Sequence, residues 1–412
     1  MPFFYQQEKL KVGSQEQMLD LWELANQYPD PIYLYDLDAI TSRYQQLEQA
    51  LSGQRHSIHY AMKANSNLAI LKHFLRLGSN VDTVSEGEIK KAIQSGFQPQ
   101  QIIFSGVGKT KKEIQYAIDL GIKQINVESL QELERIANMA SDSGQKIDIG
   151  IRVNPDVNPN THPYITTGFR ENKFGLGIDH LDKVLNLISK TSSPVRLRGL
   201  SMHIGSQLFD LDCLRDAILI IKNLFHSLVG QGFQIDRLDI GGGLGIRYET
   251  DSEIEETNLI CAFGKMVHET LSDIDAEILI EPGRILVARS GLLIGQVQYI
   301  KSTDVKNFAI LNTGMHHLIR PALYGAHHRV LPLIKNNDPA KIYDVVGPIC
   351  ESSDFLAKNI ELPLVRQDDY LAIADVGAYG ASMASSYNSH SWPRELAIER
   401  ASDGQFKIEE SQ

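Results

Sequence analysis

Cysteine is scarce in this chain: three in 412 residues, Cys213, Cys261 and Cys350, lying far apart. They form neither a zinc-ligand spacing nor an even disulfide set, and a reducing cytoplasm is the expected compartment. Positive charge is also short. Forty Lys and Arg face 51 Asp and Glu, a net charge of −11. That balance argues against nucleic acid or an anionic membrane as a partner, while leaving room for an anionic small ligand. No apolar run approaches the roughly 18 residues needed to cross a bilayer. The segment Met1 to Glu8 lacks the basic and apolar regions of a signal peptide. Internal repeats, low-complexity tracts and long linkers are missing too. Hydrophobic residues are not: at 42% they suffice for sizeable cores, and the length suits one large domain plus a smaller one.

What is present is a rhythm. Residues 15–28 place Met18, Leu19, Leu21, Trp22, Leu24 and Ala25 at helical spacing, which predicts an amphipathic helix. Pro29-Asp30-Pro31 then breaks the chain, and residues 32–35 enter a strand. Beyond them, short β-branched runs alternate with helical stretches. Strands are expected at 58–63, 81–85, 102–105, 124–128, 147–153, 199–204, 238–241 and 278–281, and helices at stretches such as 68–77, 86–95, 111–120 and 130–140. Eight β units, each followed by a helix, predict an α/β fold, a (β/α)8 TIM barrel with parallel strands. An open doubly wound sheet alternates in the same way, so the count of eight carries the decision. After about residue 285, strands at 295–300, 307–312, 342–346 and 370–375 come without matching helices. The expected division is a barrel over 36–284 and a mostly-β domain over 285–412, joined by segment 1–35.

In a barrel, the C-terminal strand ends converge on one mouth. Here they carry Lys63, Asp82 with Ser85, Gly106 with Gly108, Glu128, Asn154, His203, Gly241-Gly242-Gly243 and Glu281. The polar insertion 154–178 follows the fifth strand on that same face, and long loops there are usually functional. Each group has a plain alternative. Lys63 alone is a solvated strand terminus, the glycines a tight turn, His203 a satisfied structural group, and Glu281 with Arg284 a salt bridge. Taken together they fit one cofactor, pyridoxal phosphate (PLP). Lys63 forms a Schiff base with its aldehyde, while the glycines, aided by Ser206, cradle its phosphate. The His203 imidazole stacks on the ring. The Glu281 carboxylate keeps the pyridine nitrogen protonated, which favours chemistry through a stabilised carbanion, such as decarboxylation.

The sequences Tyr60-Ala61-Met62-Lys63-Ala64-Asn65, His203-Ile204-Gly205-Ser206-Gln207, Gly241-Gly242-Gly243, Glu281-Pro282-Gly283-Arg284 and Cys350-Glu351-Ser352 resemble the barrel-type PLP-dependent decarboxylases, of alanine racemase-like fold. Within that family the resemblance is closest to the diaminopimelate decarboxylases. They are similar also at 154–156, 161–165 and 173–175, at Ile319-Arg320-Pro321-Ala322-Leu323-Tyr324, and at Asp375 to Gly380. One departure is Asn312-Thr313-Gly314-Met315-His316, where the family more often reads Asp-Ala-Gly-Met-Asn. The resemblance implies decarboxylation of meso-2,6-diaminopimelate to L-lysine and CO2, the last step of lysine biosynthesis. It implies a Schiff-base Lys63, a stacking His203, and a cofactor set of Asp82, Ser206, Gly241, Gly242, Gly243, Glu281, Gly283, Arg284 and Tyr379. Arg284, Arg320, Tyr324, Glu351 and Tyr379 are expected on the substrate, the arginines at its distal carboxylate. Cys350, the expected proton donor, and Glu351 are expected to reach into the neighbouring subunit's site, which makes the active unit a homodimer. A bidentate arginine suits a carboxylate. A decarboxylase of lysine, ornithine or a polyamine would want acids there instead. Glu281 and the Cys350 loop weigh against an alanine racemase, and the Lys63, Glu281 and Cys350 set weighs against a non-catalytic PLP binder. No metal is expected: His316, His317, His327 and His328 match no ligand spacing and read as polar surface.

Overall fold

The computed structural model describes residues 2–157, 173–189, 193–249, 253–401 and 403–411. The stretch 158–172, with most of the insertion and the motif at 161–165, lies outside them. The chain divides into two compact units. One comprises Tyr44–Ile246 and Ile254–Ile285; the other comprises Met1–Arg43, Arg247–Glu253 and Leu286–Gln412.

The first unit is a closed barrel of eight parallel strands: His56–Ala61, Asn80–Thr83, Ile102–Phe104, Gln124–Val127, Ile147–Asn154, Val195–Ser201, Arg237–Asp239 and Glu277–Ile280. Each strand pairs with the next in sequence, and the eighth returns to the first at Ile278↔His56. Closure, and not the alternation alone, separates a barrel from an open sheet. The helices begin where an amide or a hydroxyl caps them: Asn67 before Leu68–Arg76, Ser85 before Glu86–Gln94, Thr110 before Lys111–Leu120 and Ser129 before Leu130–Ser143. Each cap satisfies an N–H that the first helical turn leaves over, worth about 1 kcal/mol.

The barrel interior is polar in part. Gln124 donates to Asn126 Oδ1 at 2.8 Å, and Asn126 donates to Ser105 Oγ at 3.1 Å. Gly150 and Gly199 leave the room this needs, because a Cβ on either would strike the Gln124 amide. A hydrogen-bonded file thus rises through the barrel to Ser105, close under Asp82.

The second unit is mostly β. Its large sheet runs in the order Phe355–Leu362, Lys341–Val346, Asn307–Leu311, Gly291–Ser302, Ile32–Asp36, Arg394–Arg400, Phe406–Ser411. Ile32–Asp36 therefore lies mid-sheet, antiparallel to Gly291–Ser302 and parallel to Arg394–Arg400. Leu10, Val12, Leu21, Leu34, Leu292, Leu333 and Leu396 are among its core.

Two expectations are corrected. Residues 15–28 are not one helix: Met18–Asp20 is a strand against Lys11–Gly13, and the helix is only Leu21–Ala25. Asp20 decides this. Its carboxylate accepts from Trp22 N and Glu23 N, and Lys9 and Lys11 hold it at 2.9 and 2.7 Å. A capping side chain pinned by two lysines starts a helix and cannot lie inside one. Nor are the histidines all surface: His316, His317 and His328 are buried, with only His327 exposed. His317 bonds Thr313 Oγ1 and Ser391 O, and His328 bonds Ala374 O and the Arg320 guanidinium. Among the described residues no group of three or more His, Cys, Asp or Glu is placed to hold a metal ion.

Candidate active site

Lys63 sits on a one-turn helix, Met62–Ala64, just past the first barrel strand. The turn is braced from within. Tyr60 OH donates to Asn65 O at 2.8 Å, and its ring stacks on Phe74 with centroids 4.0 Å apart. Asn65 Oδ1 accepts from Asn67 N, and Asn67 caps the following helix. Ala61 N donates to Pro282 O at 3.0 Å, which ties this turn to the end of the eighth strand. Gly283 packs closely there, its α-carbon side facing Ala64 and Ala61.

Around Lys63 the barrel mouth gathers carboxyls. Asp82 is 1% exposed, and neither oxygen makes a well-formed hydrogen bond. Burial and then the Glu281 charge push it up to about 7, against the pull of Lys63, Ser105 and Arg152. Burial likewise raises Glu281 well above the carboxylate range, with Asp239 adding to it and Lys63 opposing it. Lys63 and Arg152 do not offset the burial of these carboxyls, a setting in which a protonated ring nitrogen would be stabilised.

Beside the acids is an anion cradle. Gly241 and Gly243 have φ of 71° and 102°, where a side chain would be strained. A Cβ on Gly242 would strike Glu281 O, and one on Gly243 would strike Gly205 O. Backbone N–H groups in such a turn suit a phosphate. Arg284 donates to Ser206 Oγ at 3.2 Å, so it makes a side-chain bond other than the salt bridge to Glu281 that sequence left open. Gly242 N donates to His203 Nδ1 at 3.4 Å. Burial, Lys63 and Arg152 hold the His203 pKa well below its usual value. These surroundings favour the neutral ring, whose Nδ1 accepts from Gly242 N.

Three of the strand-end groups have structural tasks instead. Glu128 accepts from Gly106 N, Gly175 N and Arg152 Nη1. Ser85 caps a helix, and Asn154 turns the chain onto Asp156 N. Arg152 escaped sequence reading. It stacks on Phe174 at 4.9 Å, and its charge bears on Asp82, His203, Asp239 and Glu281. Its mid-strand position carries no signal of this.

The remaining candidates belong to the β unit. Arg320 is 5% exposed at the start of the helix Arg320–Tyr324; it donates to His328 Nε2 at 3.0 Å and lies 4.6 Å over the Tyr248 ring. Tyr324 is half-buried. Cys350 and Glu351 are exposed on one loop, braced where Asp354 accepts from Met315 N and Ile349 N. Hydrogen bonds from Tyr387 and Ser353 hold the Glu351 carboxyl below its usual range. Tyr379 takes a left-handed φ of 56° between buried small residues.

The profile of the pyridoxal-dependent decarboxylase, pyridoxal binding domain, matches residues 37–288. The chain belongs to the pyridoxal-dependent decarboxylases. Among family relatives, a diaminopimelate decarboxylase of Helicobacter pylori is 43% identical over 384 residues, 93% of each chain. One of Vibrio cholerae is 40% identical over 400 residues, 97% of this chain and 94% of that one. A crystal structure of the Helicobacter pylori diaminopimelate decarboxylase, complexed with L-lysine, superimposes with a TM-score of 0.88 at 40% identity, over 95% of this chain and 97% of that one. This decarboxylase family therefore accounts for nearly the whole chain, the β unit included.

Proposed function

We propose that this chain catalyses the decarboxylation of meso-2,6-diaminopimelate to L-lysine and CO2, the step that completes lysine biosynthesis. The observation that carries the reading is the identity of about 40% to diaminopimelate decarboxylases over almost the full length. The barrel's buried acids and glycine cradle fit the cofactor the family uses. PLP, when bound, supplies an electron sink for the pair released as CO2 departs. The chain supplies the rest. The Lys63 amine holds the cofactor, and Gly241, Gly242, Gly243, Ser206, Arg284 and Tyr379 hold its phosphate. Glu281, with Asp82 behind it, keeps a proton at the ring nitrogen. His203 covers the ring face. Arg284 and Arg320, with Tyr324 and Tyr379, bind the distal end, and two guanidinium forks select a carboxylate over a bare amine. Orienting that end fixes which carboxylate leaves.

In the same reading, Cys350 Sγ delivers the proton to the carbon that lost CO2, and Glu351 meets the distal ammonium. Both act across a homodimer interface. Three free cysteines suit a reducing cytoplasm. Among the described residues no helix is long and apolar enough to cross a membrane.

The test is an absorbance spectrum of purified protein, followed by meso-diaminopimelate with detection of CO2 and lysine. A visible band that Lys63→Ala abolishes, with turnover down about 10³-fold or more, is expected. A cofactor band with no lysine moves the reading to another amino acid. No band after PLP is supplied removes it.

A further inference from the structure

In the β unit, residues 313–317 form a platform on which two loops rest. The loop that carries Cys350 and Glu351 is tied to it where Asp354 Oδ1 accepts from Met315 N at 2.6 Å. The segment 385–391 is tied to it at both ends. Ser385 N donates to His316 O at 2.7 Å, and His317 Nε2 meets Ser391 O at 2.9 Å. Burial lowers the His317 pKa to about 4, so the ring is neutral at pH 7. A carbonyl only accepts, so the ring proton is on Nε2, and Nδ1 accepts from the Thr313 hydroxyl at 2.9 Å. The His316 ring packs on those of His317 and His390, with centroids 3.7 and 4.8 Å away. His316 belongs to the stretch 312–316 in which the sequence departs from the family pattern. These anchors flank Tyr387. Asn388 and Ser389 follow it at left-handed φ of 54° and 60°, a turn that costs backbone energy and that the anchors hold. The Tyr387 hydroxyl donates to Glu351 Oε1, joining the two loops, and Ser353 Oγ donates to Glu351 Oε2 at 3.0 Å.

Building on the function proposed above, we propose that Tyr387 is a positioning residue: it aims the Glu351 carboxylate at the distal ammonium of the substrate and so sets the affinity for that end. An ionised carboxylate has about four lone-pair sites, and two donors leave the others for an ammonium. Glu351 is exposed, so without these bonds its side chain is free to rotate, and ordering it on binding costs affinity. Tyr387 suits the task. Its ring turns about only two side-chain torsions, and the backbone on either side of it is tied to the platform. Cys350 takes its place differently, from a backbone braced where Asp354 Oδ2 accepts from Ile349 N at 2.6 Å. The Tyr387 bond therefore governs binding of the distal end more than delivery of the proton.

The experiment follows CO2 release from meso-diaminopimelate by holoenzyme, with two competitive inhibitors. L-Lysine carries the distal amine, and 6-aminohexanoate is the same molecule without it. Tyr387→Phe removes only a hydroxyl. It should raise KM for meso-diaminopimelate and the inhibition constant of L-lysine about tenfold, and leave kcat within about threefold of wild type. The inhibition constant of 6-aminohexanoate should stay within about twofold, a selectivity that a merely structural role does not produce. In a Glu351→Ala background, adding Tyr387→Phe should change KM no further, since its target is gone. An equal loss for both inhibitors, a fall in kcat at unchanged KM, or a full effect of Tyr387→Phe without Glu351 overturns the proposal. If Tyr387→Phe does not fold, Ser353→Ala removes the other donor to the same carboxylate and should show the same selective loss; loss on both inhibitors alike again overturns it. Wild-type holoenzyme that releases no CO2 from meso-diaminopimelate overturns the underlying function, a result distinct from any variant's.

Discussion

Asp82 shows how a single buried acid can serve the site at the fold's expense. Its folded pKa of about 7 lies above its ordinary 3.8. Between those values the folded chain keeps a proton that the unfolded chain has lost. Stability from this group therefore falls as pH rises from about 4 to 7, and the full penalty stands above 7. Asp82→Asn removes the charge in the same shape. Apoprotein carrying it should be more stable by about 2 kcal/mol at pH 8, with the gain vanishing near pH 4. Urea unfolding at both pH values checks this, and a gain that is equal at the two would refute the charge argument. His56 has the opposite sign in a less buried place. Its bond to Glu48 raises its pKa, so its contribution is complete below its unfolded value and is lost as pH rises through the folded one. Its partner Glu48 is 40% exposed, so the pair is screened, and His56→Gln should cost at most about 0.5 kcal/mol at pH 6 and less at pH 8.

At the scale of the element, the glycine turn after the seventh strand leaves little room for substitution. Gly242 lies outside the left-handed region, yet a methyl there meets the Glu281 carbonyl, a backbone atom that cannot rotate away. Gly242→Ala should weaken PLP binding by about tenfold or more and destabilise the chain by about 1–3 kcal/mol. Fluorescence titration and thermal melts would measure the two effects, and wild-type values for both would show the cradle to be slack. The Lys63 turn is the counterpart: its brace comes from Tyr60, Asn65 and Asn67, all within one short segment, so its geometry is largely local.

For the whole molecule, the homodimer reading has its own test. If each site takes Lys63 from one chain and Cys350 from its partner, neither Lys63→Ala nor Cys350→Ala works alone. After mixing and subunit exchange, half the dimers are mixed, and each of these has one intact site. Activity should return to about a quarter of wild type. Failure to recover any, with exchange verified, would place both residues in one chain's site. The eight barrel strands and four of the later ones were legible because β-branched runs and turn residues are local signals. So were Lys63, Gly241 to Gly243 and Glu281 as a group, since strand ends of a barrel share a mouth whatever the register. The helix expected at 15–28 failed where a capping Asp20 was pinned by lysines from an adjacent strand, and the histidines failed because burial depends on what packs over them. The same holds for Asp239 and Arg152. The sequence by itself determined the barrel's strands and the groups at their ends, through short-range pattern. Only the tertiary structure decided which acids lie buried together, because neighbours across parallel strands are set by register and burial, which no local pattern encodes.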